Sequence, residues 1–214
     1  GKLRGLIGCD RAKEGKDGKD GKDGKDGREI DADALFLETG IGGKAAAKRL
    51  PVGTVGALEG RAERLGDLWC GTNLDDRAGC AAVVAAVHGA RAPKYALHVI
   101  FSAQSDLGAR GATTGAFGIE PDLAVVVDVA FAGEAKGAGD IALGKGPCVG
   151  LKEEGFLAHP ATLDLVKRAA KALRMKHQWL IRESGGSDAR AVRASRRGVP
   201  TAVVAIPARR TGGP

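Results

Sequence analysis

The chain has 214 residues, 43% hydrophobic and only 4% aromatic, with a formal net charge of +7. That length supports one sizeable core, or one core with a small appended module, packed mainly by Ala, Val and Leu. No run of about 18 apolar residues is present, so no helix of this sequence is long and apolar enough to cross a membrane.

The charge is unevenly placed. Residues 167–214 carry twelve Lys/Arg against Glu183 and Asp188, and the rest of the chain is net acidic. A basic last quarter attracts nucleic acid or acidic partners in general terms. It lacks aromatic interleaving beyond Trp179 and any recognised nucleic-acid motif, so it reads as a solvated basic face. Cys9, Cys70, Cys80 and Cys148 show neither zinc-finger nor Cys-x-x-Cys spacing. Buried free thiols in a reducing cytoplasm are the expectation. The first eight residues are too short and too interrupted for a signal peptide.

In chain order, residues 3–8 read as a short strand. Gly15–Gly27 is four Gly-Lys-Asp triplets. Without proline or apolar residues it can neither form a triple helix nor bury itself, so a flexible surface loop is expected. Ala34–Glu38 reads as a strand and residues 44–49 as a brief Ala/Lys helix. Residues 1–70 together suggest the remnant of a small β-rich module. From Gly71 onward the pattern alternates. A small-residue helix near 77–90 precedes a strand at Tyr95–Ala103. A short helix over 112–117 precedes the continuous apolar run Leu123–Asp128, suited to a strand covered on both faces. Residues 160–174 carry Leu163, Val166, Ala170 and Leu173 at helical spacing behind Pro160. Gln178–Arg182 reads as a strand, Asp188–Arg197 as a helix stopped by Gly198, and Thr201–Ile206 as a buried strand. This alternation predicts an α/β fold, a mostly parallel sheet flanked by helices, over residues 71–214.

The sequence's chemical focus is Asp75-Asp76, side by side ahead of the helix. Adjacent carboxylates are costly unless a cation or a positive dipole neutralises them. They are either acidic first-turn residues of a helix or a metal ligand beside its orienting neighbour. Ligands of open α/β sheets collect at the carboxyl ends of strands. Asp75, Asp106 (after the strand ending at Ala103) and Asp128 (closing its strand) fall there. Three convergent carboxylates suit zinc or a harder cation, and strand-end aspartates also serve as caps and turn formers. His98 reads as a packed strand histidine. His88, His159 and His177 lack a spaced His partner.

Six segments occur in order: Leu74–Cys80, Gln104–Ala112, Pro121–Asp128, Leu143–Pro147, Gly185–Ala189 and Gly198–Arg209. Together they resemble the tetrahedral, glutamyl-type dinuclear metallo-aminopeptidases, the family that includes cellulase-M-like peptidases, across nearly the whole chain. The resemblance implies an α/β catalytic domain interrupted by a β-barrel-like dimerisation domain, of which residues 1–70 would be a remnant. It implies cytoplasmic dodecameric shells, and two metal ions, zinc or cobalt, about 3.5 Å apart that activate a water against a peptide carbonyl. Asp75 would bridge the metals with Asp76 beside it. Asp128 would ligate one, and Asp106 stands where the family places a metal-binding Glu. Arg110 and Gly185, Gly186, Ser187 and Asp188 would lie near a peptide substrate.

Several positions depart from that pattern. Ser105 stands where the family places its general-base Glu, and losing such a base costs roughly two to four decades in rate. Gly212 takes the place of a metal-binding His. The remaining His ligand belongs to a segment ahead of residue 1. Tight dinuclear zinc binding is therefore not expected from Asp75, Asp106 and Asp128 alone, and loosely held Mg²⁺ or Ca²⁺ is the alternative. The expectation is a catalytically impaired, N-terminally truncated relative kept as an assembly subunit. The alternative is an active aminopeptidase completed by another segment or chain. Either way, an uncovered sheet edge predicts self-association or a complementing chain.

Overall fold

The structure is a computed structural model that describes residues 3–9, 34–91, 94–132 and 141–209. The Gly-Lys-Asp repeat and Gly212 lie outside the described residues. The chain divides into two compact units, Gly1–Ala57 and Leu58–Pro214.

The first unit holds an antiparallel pair, β1 (Leu6–Cys9) with β2 (Leu35–Glu38), and the short helix α1 (Gly43–Arg49). The strand and helix expected near 34–38 and 44–49 are both present. The second unit opens with a hairpin, β3 (Ala62–Leu65) and β4 (Leu68–Gly71). Gly66, at φ 62°, turns the two-residue loop, as a positive φ favours glycine. The sequence reading missed this hairpin, whose residues are all exposed and so carry no burial pattern.

The rest of the unit is a five-stranded sheet with helices. Its elements are α2 (Leu74–Gly89), α3 (Arg110–Ile119), β5 (Ala124–Phe131), β6 (Cys148–Glu153), β7 (Phe156–Leu157), α4 (Pro160–Ala172), β8 (Gln178–Ile181), α5 (Ala189–Arg193) and β9 (Thr201–Ala208). β5 runs parallel to β9 from Ala124↔Thr201 to Phe131↔Ala208, and β6 runs parallel to β8. These two parallel pairs are joined by a short antiparallel step between β6 and β9. β7 folds back antiparallel on β6. The α/β architecture is therefore as the alternation predicted, with one antiparallel seam.

Two sequence expectations are corrected. Tyr95–Ala103 is not part of any ladder among the described residues. α5 is five residues long rather than ten, because the chain turns at Ala194–Gly198. The seam strand β6 was also missed. Its Gly150 faces Val203, whose side chain fills the space a Cβ would take.

Small side chains make the core, as the composition required. Ala130, Cys148 and Ala205 pack with Ile141 and Leu180 around the sheet. Ala112 and Ala116 of α3 meet Val192 and Val199. Thr162 of α4 is fully buried and donates to the Thr201 carbonyl (2.9 Å), pinning that helix to β9. Gln178 holds the 141–147 loop: its Oε1 accepts from Ala142 N (2.9 Å), and its Nε2 donates to the Ala142 and Gly146 carbonyls. The expected buried thiols hold for Cys148, whose pKa burial pushes up to about 11, whereas Cys70 is exposed on β4.

Candidate functional site

The site forms where α2 begins beside β5. Asn73 takes a left-handed backbone (φ 56°), and Asp75 and Asp76 are non-helical, joined by a cis peptide bond. The regular helix starts at Arg77. Asp76 Oδ1 accepts from Gly79 N (3.0 Å), satisfying one of the donors a helix start leaves open. Gly79 is buried, and any Cβ there would collide with the Asp76 carboxylate. The capping reading thus describes Asp76. It leaves Asp75, exposed at the kink, for other work.

Asp128 does not end its strand as expected. β5 continues to Phe131, and Asp128 pairs in register with Ala205 of β9. Its Oδ1 accepts from Val129 N (2.8 Å), and its Oδ2 lies 3.4 Å from Arg182 Nη2. Arg182 follows β8 and is mostly buried. Its stronger partner is Glu153 at the end of β6, with Nη2 at 2.7 Å and Nε at 3.1 Å from the same Oε1. The Glu153 side chain is fully buried. Its other oxygen accepts from Ser187 N (3.0 Å) and Ser187 Oγ (2.6 Å). A relay of charge-assisted bonds therefore runs from Asp128 through Arg182 and Glu153 to the Gly185–Ala189 loop. Glu154 ties the other end of that loop through Gly185 N (2.9 Å).

The loop presents Asp188 to the segment before α3. Ser105 Oγ donates to Asp188 Oδ1 (2.8 Å), and Ser102 Oγ donates to Oδ2. Ser105 is thus a hydrogen-bond donor to a carboxylate here. Asp106 sits on the exposed turn after Gln104, in the wall of the cavity that Asp75, Asp76, Asp128 and Asp188 also line. Arg110 opens α3 and is exposed.

Electrostatics in the site favour protonation. Burial chiefly pushes Asp76 up to about 6, with Asp75 and Asp188 adding like-charge repulsion against the Gly79 N–H. Burial likewise pushes Asp128 to about 6. The Val129 N–H and Arg182 oppose it, and Asp76 and Asp75 reinforce it. Clustered carboxylates raised in this way would gain from a divalent cation. Yet no group of three or more His, Cys, Asp or Glu among the described residues is placed to hold one ion. Asp128 is already engaged by a guanidinium. The described residues therefore do not fit a resident dinuclear zinc or cobalt centre, nor a three-carboxylate Mg²⁺ or Ca²⁺ site.

The histidines have structural places. His159 caps α4, accepting from Ala161 N (3.2 Å). His177 packs edge-on against Trp179. His98 is exposed rather than packed, because its segment never joins the sheet. Sequence reasoning missed Arg182, Glu153 and Ser102. The available signal was an Arg and a Glu ending otherwise apolar strands, which flags a buried pair but not its partner.

The M42 glutamyl aminopeptidase family matches residues 1–214 of this chain. A putative aminopeptidase of Acetivibrio thermocellus is 30% identical over 185 residues, covering 85% of this chain and 56% of that protein. Among solved structures, the aminopeptidase APDkam598 from the archaeon Desulfurococcus kamchatkensis superposes with a TM-score of 0.79 at 24% identity, over 99% of this chain and 59% of that one. The Pyrococcus horikoshii TET1 peptidase, which can assemble into a tetrahedron or a large octahedral shell, superposes with a TM-score of 0.64 at 20% identity, over 85% of this chain and 55% of that one. The chain spans a little over half the length of these proteins.

Proposed function

Because the chain belongs to the M42 glutamyl aminopeptidase family, we propose that it is a peptidase-fold assembly subunit whose own residues leave the catalytic centre incomplete. The observation that carries this reading is the engagement of Asp128 by Arg182, with no third ligand gathered among the described residues. A guanidinium supplies the charge that a metal-ligating aspartate would otherwise seek. Ser105 adds support. A hydroxyl donating to Asp188 is not free to take a proton from water, so the base that peptide hydrolysis needs is lacking at that position. No hydrolytic step is derived through a metal that these residues do not fit.

As a subunit, the chain would self-associate in the cytoplasm into a large oligomer, a dodecameric shell by family resemblance. The shell-forming behaviour of the Pyrococcus horikoshii relative supports this. The test is release of amino acids from short peptides by the purified chain with added Zn²⁺ or Co²⁺. The expected rate is that of the blank, unchanged by Asp75→Ala. Activity that Asp75→Ala abolishes would overturn the reading.

One observation favours a second reading, an aminopeptidase completed by another polypeptide segment. The carboxylates line a cavity large enough to admit such a segment. Asp75, Asp106 and Asp128 would then share metal ions with incoming ligands, while Arg110, Gly185, Gly186, Ser187 and Asp188 would face the peptide. Metal analysis of the completed protein finding about two ions per chain would support it. None bound would refute it.

A further inference from the structure

Residues 94–103 carry strand chemistry without a strand's bonds. Tyr95-Ala-Leu-His-Val-Ile-Phe101 is apolar at most positions, and the chain runs from Ala96 to Ser102 without a bend. It has no ladder partner among the described residues. Its side chains are open on both faces: Tyr95 is 84% exposed, Leu97 58%, Ile100 43% and Phe101 55%. β5 is the end strand of its sheet, paired in register with β9 and with no other described strand. Val125 of β5 is 49% exposed, although β5 is apolar on both faces. α2 likewise turns Val87 outward, 42% exposed.

These three surfaces border one cavity of about 2260 Å³. Small-molecule pockets run to roughly 300–1,000 Å³, so the space exceeds what a compact ligand fills. An unpaired apolar run facing an unpaired strand edge is the arrangement that takes up an added strand.

We infer that the cavity is a strand slot. One β-strand, apolar on both faces, enters between residues 95–103 and β5 and is hydrogen-bonded along both edges. It is supplied by polypeptide corresponding to the part of the aminopeptidase relatives that these 214 residues do not span. The chain covers only 56% of the Acetivibrio thermocellus relative and 59% of the Desulfurococcus kamchatkensis structure, so those proteins have ample further chain for it. The sequence outside the described residues does not supply one: 10–33, 133–140 and 210–214 contain no run of apolar residues. This deepens the second reading above but rests on the fold and not on catalysis. A slot that fills while the protein stays inactive leaves the strand assignment standing and removes only that reading.

The test is amide hydrogen exchange on two proteins. One is the chain alone. The other is the chain fused through a flexible linker to the unmatched part of the Acetivibrio thermocellus relative, which holds that part at high effective concentration. In the chain alone, amides of 95–103 exchange freely at every protein concentration. In the fusion they slow at least tenfold, as do outer-edge amides of β5. Ile100→Pro, which removes a ladder donor, restores fast exchange at 95–103 in the fusion while leaving β9 protected. Absence of slowing in the fusion overturns the inference. So does slowing that survives Ile100→Pro, protection already present in the dilute chain, or protection that rises with concentration of the chain alone, which would make a second copy the occupant.

Discussion

Asp128 sets two opposing effects against each other, and their balance is measurable. Burial and the Asp75–Asp76 pair favour its neutral form; Arg182 and the Val129 N–H favour its charge. The balance leaves Asp128 at about 6, against an ordinary 3.8. A carboxyl held more basic in the folded chain binds its proton more tightly there than when unfolded. Stability from this group is therefore fully present below about pH 4 and is lost as pH rises through about 6. The shift corresponds to about 3 kcal/mol, and partial solvent access reduces this to about 2 kcal/mol. Asp128→Asn removes the titration and keeps an oxygen for Val129 N. The difference in unfolding free energy, variant minus parent, should rise by about 2 kcal/mol between pH 4 and pH 7.5. In a chain of this size that corresponds to roughly 4–8 °C in melting midpoint. Urea or thermal unfolding of both proteins across that range measures it, and taking differences cancels other titrations. A difference that shrinks as pH rises would mean that the Arg182 attraction wins over burial. A flat difference would mean that the site is more open to water than the structure places it.

The relay gives a second expectation. Arg182→Leu leaves the fully buried Glu153 without its counter-charge and should cost about 3–5 kcal/mol in urea unfolding, far more than a surface arginine. Glu153→Gln keeps the bond from Ser187 N and should cost less than Arg182→Leu; the reverse order would refute the relay. Gly79→Ala places a methyl against the Asp76 carboxylate and should destabilise by about 1–3 kcal/mol, although alanine ordinarily favours a helix. Thr162→Val removes the hydroxyl bond to the Thr201 carbonyl and should cost about 1–3 kcal/mol, because the carbonyl is left buried.

The fold was legible where burial imposed a period. β5 and β9 are continuous apolar runs because both faces are covered, and each was placed within two or three residues at its ends. α4 was placed by its apolar spacing and Pro160. The β3–β4 hairpin was illegible because none of its residues is buried, so alternation had nothing to record. Tyr95–Ala103 failed in the opposite way. Its composition is that of a strand, and propensity alone cannot say whether a partner stands beside it.

The site was legible as residue types and illegible as contacts. Asp75, Asp76, Asp106, Asp128 and Asp188 were all singled out, and the structure lines one cavity with all five. What the sequence could not convey is which charges meet. Arg182 lies fifty-four residues from Asp128 and twenty-nine from Glu153, yet bonds both because β6 and β8 run parallel and end together. Ser105 lies eighty-three residues from the aspartate it serves. The distinction matters for function. Read as types, these carboxylates suggest a metal cradle. Read as contacts, one caps a helix, one answers an arginine and one holds two serines, so a metal centre here would have to displace bonds the fold already makes. That displacement is the free-energy cost any incoming strand and its ligands must outweigh before this chain hydrolyses a peptide.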